Sequence, residues 1–224
     1  MWAAILLSDP LPLSYTHWQN ESGENDVQIK RGRRRDDSVR ISILTAMLTL
    51  VEDGVSFARI NVEQLARQAG VSKTTIYKWW PGKEAIFCEA FLRHASEALP
   101  VLEYDAGNQR DFYAQFIARV IEMRKFHRTA VARVMIGLAL EHPDIASQLN
   151  EKHQQPRYQA MRTIFESWFL EHATKEDIAF FLEMSFSLIY NFSAARSDED
   201  IVALIRRLFR TVFPDYAELD LNYP

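Results

Sequence analysis

The chain is poor in several residues that would have pointed elsewhere. It has one cysteine in 224 residues, Cys88, so no disulfide can close within the chain and a reducing compartment, the cytoplasm, is expected. It holds only seven glycines and eight prolines, too few for a loop-rich or repetitive fold. The apolar run nearest the start, Trp2–Leu7, is far short of the ~20 residues that cross a bilayer. No basic region precedes it, so it does not read as a secretory leader, and no membrane partner is expected. Residues 1–29 contain no lysine or arginine at all but four acids.

Positive charge gathers in one place instead. Between Lys30 and His94 there are 12 Lys and Arg against 7 Asp and Glu, while residues 95–224 carry 14 against 19. The net charge of −4 hides a basic block joined to an acidic remainder. Such an asymmetry points to a local nucleic-acid site.

The pattern along the chain is helical, and the expected class is all-α. Residues 1–29, with Pro10, Pro12, Gly23 and Asn25 and no periodicity, read as a mobile extension. In "KRGRRRDDSVR", five bases fall within Lys30–Arg35, and Asp36, Asp37 and Ser38 are candidate caps. A first helix is expected over Ser38–Glu52, with Ile43, Met47, Leu50 and Val51 on one face and Gly54 as its stop. Asn61 and Gln64 have capping-box spacing ahead of a short helix, Val62–Gln68, and Ser72 caps the next. Pro81-Gly82 breaks that one, and Lys83–Leu99 follows. Beyond Pro100, helices are expected over Gln109–Phe126, Thr129–Glu141, Ile145–His172, Lys175–Phe192 and Asp198–Phe213.

The stretch from Val62 to Trp80, two short helices joined by a glycine-containing turn, meets the needs of a helix-turn-helix. Ala66 is small where the helices cross, Gly70 can take positive φ, and Leu65, Val71 and Ile76 are apolar where the pair grips its domain. Left outside on the second helix are Lys73, Thr74, Thr75, Tyr77 and Lys78, donors and cations with no acid among them. That face suits a major groove lined with acceptors and phosphates. Trp80, four residues after Ile76, falls on the inward face, whereas Trp79 sits at its border. Lys83, in the first turn of the following helix, is a candidate phosphate clamp. For Arg33, Arg34 and Arg35 two readings stay open: entry into a narrow A·T-rich minor groove, or a nonspecific electrostatic tail.

"INVEQLARQAGVSKTTIYKWWPGKEAIFCEAF", preceded by "RGRRRDDSVRISILTAMLTLVEDG", resembles the N-terminal DNA-binding domain of the tetracycline-repressor (TetR) family of bacterial regulators over about residues 30–95. Trp79 departs from the pattern, since many relatives carry a polar residue or His there. The resemblance implies DNA contacts from Lys73, Thr74, Thr75, Tyr77 and Lys78, and phosphate clamping by Lys83 and the helix start at Asn61. It also implies a palindromic double-stranded operator, a homodimer and a small-molecule effector of unknown identity. The expected organisation is an extension at 1–29, a DNA-binding domain at 30–82 with a connecting helix at 83–99, an effector and dimerisation domain at 100–216, and a tail at 217–224.

Lys175–Phe192 is apolar nearly all round, which suggests a second chain on one face, and Asp198–Phe213 has a clean stripe. Phe181, Met184, Leu188, Ile201, Leu204, Ile205 and Leu208 are therefore the candidate dimer residues. Phe112, Phe116, Met123, Met135, Phe165, Trp168 and Phe169 form an aromatic and methionine stripe that is core first. By resemblance the same region encloses an effector pocket. The six histidines form no HExxH or other ligand cluster, and His94, His127 and His142 are expected at the surface or as caps. Cys88, among Ile86, Phe87 and Phe91, is expected as an inert buried thiol. With no catalytic signature, an enzyme reading has no support, and neither cofactor nor metal is expected. The competing readings are a ligand-binding protein with a vestigial head and an architectural or activator-type DNA binder without an effector.

Overall fold

The computed structural model describes residues 27–101, 108–189 and 196–216, with side chains from residue 36 onward. Ten α-helices are found among these residues, and no strand. In chain order they are α1 (Val27–Glu52), α2 (Val62–Ala69), α3 (Lys73–Tyr77), α4 (Lys83–Ala98), α5 (Gln109–His127), α6 (Ala130–Glu141), α7 (Pro143–Leu149), α8 (Gln155–Phe169), α9 (Lys175–Ile189) and α10 (Asp198–Val212). A 3₁₀ turn, Phe57–Arg59, lies between α1 and α2, and a π-helical segment, Asn150–Gln154, joins α7 to α8. The expected extension at 1–29 and tail at 217–224 lie outside the described residues but for Val27–Ile29, which open α1.

The chain divides into two compact units, and the division falls inside α4, between Ala90 and Phe91. In the first unit α1 packs on α2. Its buried stripe, Ile43, Met47, Leu50 and Val51, repeats at helical spacing, and each such side chain contributes about 1.5–3 kcal/mol when fully buried. Gly54 ends the helix at φ +82°, a conformation that side chains resist. Ile60 is fully buried, and Phe57 meets Phe87 at 5.2 Å between ring centres, so both reach back to the core.

Two helices differ from expectation. First, α1 begins eleven residues before Ser38 and runs through Asp36 and Asp37, which therefore cap nothing. Arg33 and Asp37 stand four apart, a spacing of opposite charges that supports helix continuation. Second, the single helix expected over Ile145–His172 is broken into α7, a π segment and α8. Pro156 explains the break: it has no N–H to donate, and its ring collides with the carbonyl four residues back in a regular helix. Widening the backbone over Asn150–Gln154 accommodates both.

The second unit packs α9 against α5, α8 and α10. At one end its core is a continuous aromatic cluster. Phe112, Phe116, Phe165, Phe169, Phe181, Phe209 and Phe213 are each at most 1% exposed and lie ring to ring at 4.9–6.4 Å.

Candidate nucleic-acid interface

Each part of the α2–turn–α3 pair is held by a bond that its sequence supplies. Asn61 Oδ1 accepts from the Gln64 backbone N–H at 2.8 Å and starts α2. Gly70, at φ +68°, stops it, and the Val71 N–H then reaches the Ala66 carbonyl at 2.9 Å. Ser72 Oγ accepts from the Thr75 N–H at 3.1 Å and starts α3. Val62, Leu65, Ala66 and Ile76 turn inward. Lys73, Thr74, Tyr77 and Lys78 are exposed, so four of the five expected reading residues share the outer face. Thr75 is half-buried, and its hydroxyl lies 2.9 Å from Ser72 Oγ. Its first task is to complete the cap.

The outer face is lightly held. Lys73 Nζ donates to Glu63 Oε1 at 2.7 Å across two exposed side chains. That bond holds the Glu63 carboxyl below, and the Lys73 ammonium above, their ordinary values. An exposed pair of this kind exchanges readily with another anion, because water already screens it. Lys78 Nζ sits 5.8 Å from the Trp79 ring centre, and Tyr77 is 56% exposed.

Behind that face the packing is tight. Trp80 is 4% exposed, and its Nε1 donates to Glu89 Oε2 at 2.9 Å. Glu89 also accepts both arms of the Arg40 fork, each at 2.7 Å, and the Arg40 guanidinium lies 5.7 Å from the Trp80 ring centre. Trp79 meets Trp80 edge-on at 5.6 Å. One carboxylate on α4 thereby ties α1 to the indole that anchors α3. Neither Arg40 nor Glu89 was singled out by the sequence pattern, although a Trp80 needing a partner for its N–H was the available signal.

Lys83 requires a correction. Its ammonium does not stand ready for a phosphate, because it donates to the carbonyls of Phe57, Ala58 and Ile60 at 2.9, 3.1 and 3.0 Å. An ammonium has three protons, and all three are used on this 3₁₀ turn. Lys83 Nζ also lies 4.8 Å from the Phe57 ring centre. The phosphate-clamp expectation does not fit that geometry. Arg33, Arg34 and Arg35 fall in α1 where only the backbone is described, and that backbone is helical.

In the second unit the expected dimer residues divide sharply. Phe181, Ile201 and Ile205 are 0% exposed within their own chain and have no surface to offer a partner. Met184 is 41% exposed, and Leu188, Leu204 and Leu208 are half-buried. Phe180, which the sequence reading passed over, is 51% exposed one turn before Met184. The outward strip of α9 is thus Phe180, Met184 and Leu188, with Phe180 standing where Phe181 was expected.

Five of the seven expected pocket residues pack ring to ring. Phe112, Phe116, Phe165 and Phe169 belong to the aromatic cluster, and Trp168 stacks on Phe112 at 6.1 Å. Met123 and Met135 are buried as well. A groove of about 910 Å³ does open between α5 and α10, with Lys125, Arg206, Arg207, Arg210, Asp198 and Glu199 along it, and it touches none of those seven.

Several buried polar side chains were missed. Arg124, 1% exposed, donates to Asp198 Oδ1 at 2.9 Å and to the Leu188 and Arg196 carbonyls at 3.4 and 2.8 Å, joining α5 to the ends of α9 and α10. His127, expected at the surface or as a cap, is 4% exposed, with Nδ1 2.6 Å from the Met123 carbonyl. Burial pushes its pKa down to about 4, and that of His153 to about 3. His142 does stand as a cap between α6 and α7, and Cys88 is buried. No cluster of three or more metal-ligating side chains occurs among the described residues, and no described helix is long and apolar enough to cross a membrane.

Residues 54–90 match the profile of the bacterial regulatory proteins of the tetR family. An HTH-type transcriptional regulator of Bacillus subtilis, YdeS, is 32% identical over 166 residues, which is 73% of this chain and 80% of that one. The HTH-type transcriptional regulator EthR of Mycobacterium tuberculosis is 33% identical over 94 residues, covering 40% of this chain and 43% of its own. Among solved structures, a transcriptional regulator from Streptomyces coelicolor A3(2) superposes with a TM-score of 0.54 at 18% identity, over 76% of this chain and 98% of that one. This last likeness concerns the fold.

Proposed function

The chain belongs to the TetR family of bacterial regulatory proteins and is a transcriptional regulator, and from that premise we propose that it acts as a dimeric repressor that a small-molecule effector releases from a palindromic operator. The observation that carries this reading is the exposed, acid-free face of Lys73, Thr74, Tyr77 and Lys78 on an α3 anchored by Trp80. Donors on a short rigid helix reach base edges and phosphates in a major groove, and Thr75 supports them from its cap. Asn61, at the start of α2, faces a phosphate with its backbone end. Arg33–Arg35 add charge from α1, and Lys83 acts through the turn it holds rather than by direct contact.

The partner surface is the strip Phe180, Met184 and Leu188 on α9 with Leu204 and Leu208 on α10. A two-fold dimer built on it sets two α3 helices one DNA turn apart, ~34–36 Å. The packed state of Phe112, Phe116, Phe165 and Phe169 favours a second reading, a DNA binder without an effector, at least for that part of the unit. Such a protein would hold its operator whatever small molecule is offered.

Fluorescence anisotropy on DNA from the gene's own upstream region, across a salt series, tests the first reading. The intact chain is expected to prefer that DNA over scrambled duplex by ~10³ or more. Tyr77→Ala with Lys78→Ala is expected to remove the preference. Equal, weak and purely salt-dependent binding of both proteins to both duplexes would sink the proposal.

A further inference from the structure

The aromatic cluster fills only one end of the second unit. Around the π segment the interior is polar and incompletely paired. His153 is 2% exposed, and its Nε2 has no hydrogen-bond partner. Asn150 Oδ1, three residues earlier in the same segment, is buried and likewise unpartnered. The walls are apolar and aromatic: Phe91 and Phe126 approach the His153 ring at 5.7 and 6.5 Å, and His127 lies 6.4 Å away. On α9, Ser185 is 1% exposed with an unpartnered Oγ, between Phe181, which meets Phe116, and Leu188, whose carbonyl meets Arg124.

A buried polar atom left unpaired is costly, and two on one helical turn are unusual unless something is bound there. The turn is itself irregular, and π segments inside helices recur at functional sites. We propose that His153 Nε2 and Asn150 Oδ1 form the polar end of a small-molecule site, and that its ligand is an uncharged, largely apolar molecule bearing a hydroxyl or amide N–H. This rests on the effector reading and moves the site away from Phe112 and Phe165.

The ligand class follows from what faces the pair. An Asn carbonyl oxygen accepts only, so the ligand must donate to it. A hydroxyl donates its one proton to Asn150 Oδ1 and can then accept from the imidazole in the tautomer protonated at Nε2. Arg157 is the charged group at the site, with Nη1 on the His153 carbonyl at 2.8 Å and Nη2 on the Ala95 carbonyl at 3.2 Å and the Leu99 carbonyl. Its charge opposes a cationic ligand, and the His153 imidazole is left to meet the guest. Phe91, Phe126 and the edge of His94 then receive an apolar body.

The test uses the full chain and two probe pairs differing by one hydroxyl: 2-naphthol with naphthalene, and 4-phenylphenol with biphenyl. Binding is read from the His153 imidazole resonances and from thermal shift. At least one phenol is expected to move those resonances and to bind about tenfold tighter than its hydrocarbon, the worth of one net hydrogen bond. His153→Phe should abolish that preference while leaving ligand-free Tm unchanged or higher, since an apolar ring replaces an unpaired group. If no probe moves His153, or if His153→Phe lowers Tm markedly, the pair is a structural feature satisfied by water and the proposal is overturned. A probe that moves His153 but leaves operator binding unchanged keeps the site and defeats the effector reading. One that weakens operator binding without touching His153 does the reverse.

Discussion

The two units of this protein treat their aromatic residues in opposite ways. In the first, Trp79 and Trp80 stand behind a polar outer face, and the exposed side chains of α3 are hydroxyls, a phenol and cations. In the second, the rings form the interior, and what remains outside on α9 includes Phe180 and Met184. A polar exterior rich in donors suits a wet, charged partner, whereas an apolar exterior needs a partner that excludes water. The contrast separates residues that make a surface rigid from residues that make it sticky, and substitutions should separate them too.

The largest effect is expected at the anchor. Trp80→Ala removes a buried indole and strands Glu89 beside Arg40, so the first unit should lose about 3–5 kcal/mol by denaturant unfolding, with DNA binding lost alongside. A stable Trp80→Ala protein with intact operator preference would erase the contrast. The register of α9 comes next. Phe181→Lys places a charge in the aromatic core and should unfold the second unit, whereas Phe180→Lys should leave it folded and shift the proposed dimer towards monomer in sedimentation. Exchanged outcomes would put Phe181, not Phe180, on the outer face.

Lys83→Met should cost about 1.5–3 kcal/mol, the worth of hydrogen bonds to a charged donor, while leaving the salt dependence of DNA binding unchanged. A fall of ~0.9 in the log–log salt slope would instead make it a phosphate contact. The effect of pH on the second unit is graded rather than all-or-none. His127 and His153 have folded pKa values of about 4 and about 3, below the ordinary value near 6.5. Depressed histidines bind more protons when unfolded, so their stabilisation is complete above pH ~6.5 and is lost as pH falls toward 4 and then 3. Each contributes a slope of at most about 1.4 kcal/mol per pH unit. His153→Phe should flatten that slope in urea titrations between pH 7 and 4. The smallest change in stability is expected for Tyr77→Ala with Lys78→Ala, within about 0.5 kcal/mol per site, because both side chains are exposed.

Most of the first unit was legible because its signals are local. Asn61, Gly70 and Ser72 act on residues within four positions of themselves, and the spacing from Ile76 to Trp80 fixes which way the indole points. Lys83 misled for the opposite reason, since its carbonyl partners lie 23 to 26 residues away. On α9 the class of helix was clear, but which of two adjacent phenylalanines faces outward was not. A helix apolar on every side carries no polar face to mark outward, so Phe180 and Phe181 look alike in sequence and differ fully in place. Pro156 announced a break that an otherwise continuous apolar pattern concealed, and the buried roles of Arg124 and His153 depend on contacts that no local spacing encodes.

The brevity of α3 has a consequence of its own. Five residues make little more than one turn, well below the dozen or so at which an isolated helix begins to persist in water. Excised from its surroundings, Lys73–Tyr77 would be a disordered peptide with no reading face at all. Recognition is therefore a cooperative property: it exists while the carboxylate of Glu89 holds the indole in place, and any partial melting of that cluster erases the message before the protein itself is lost.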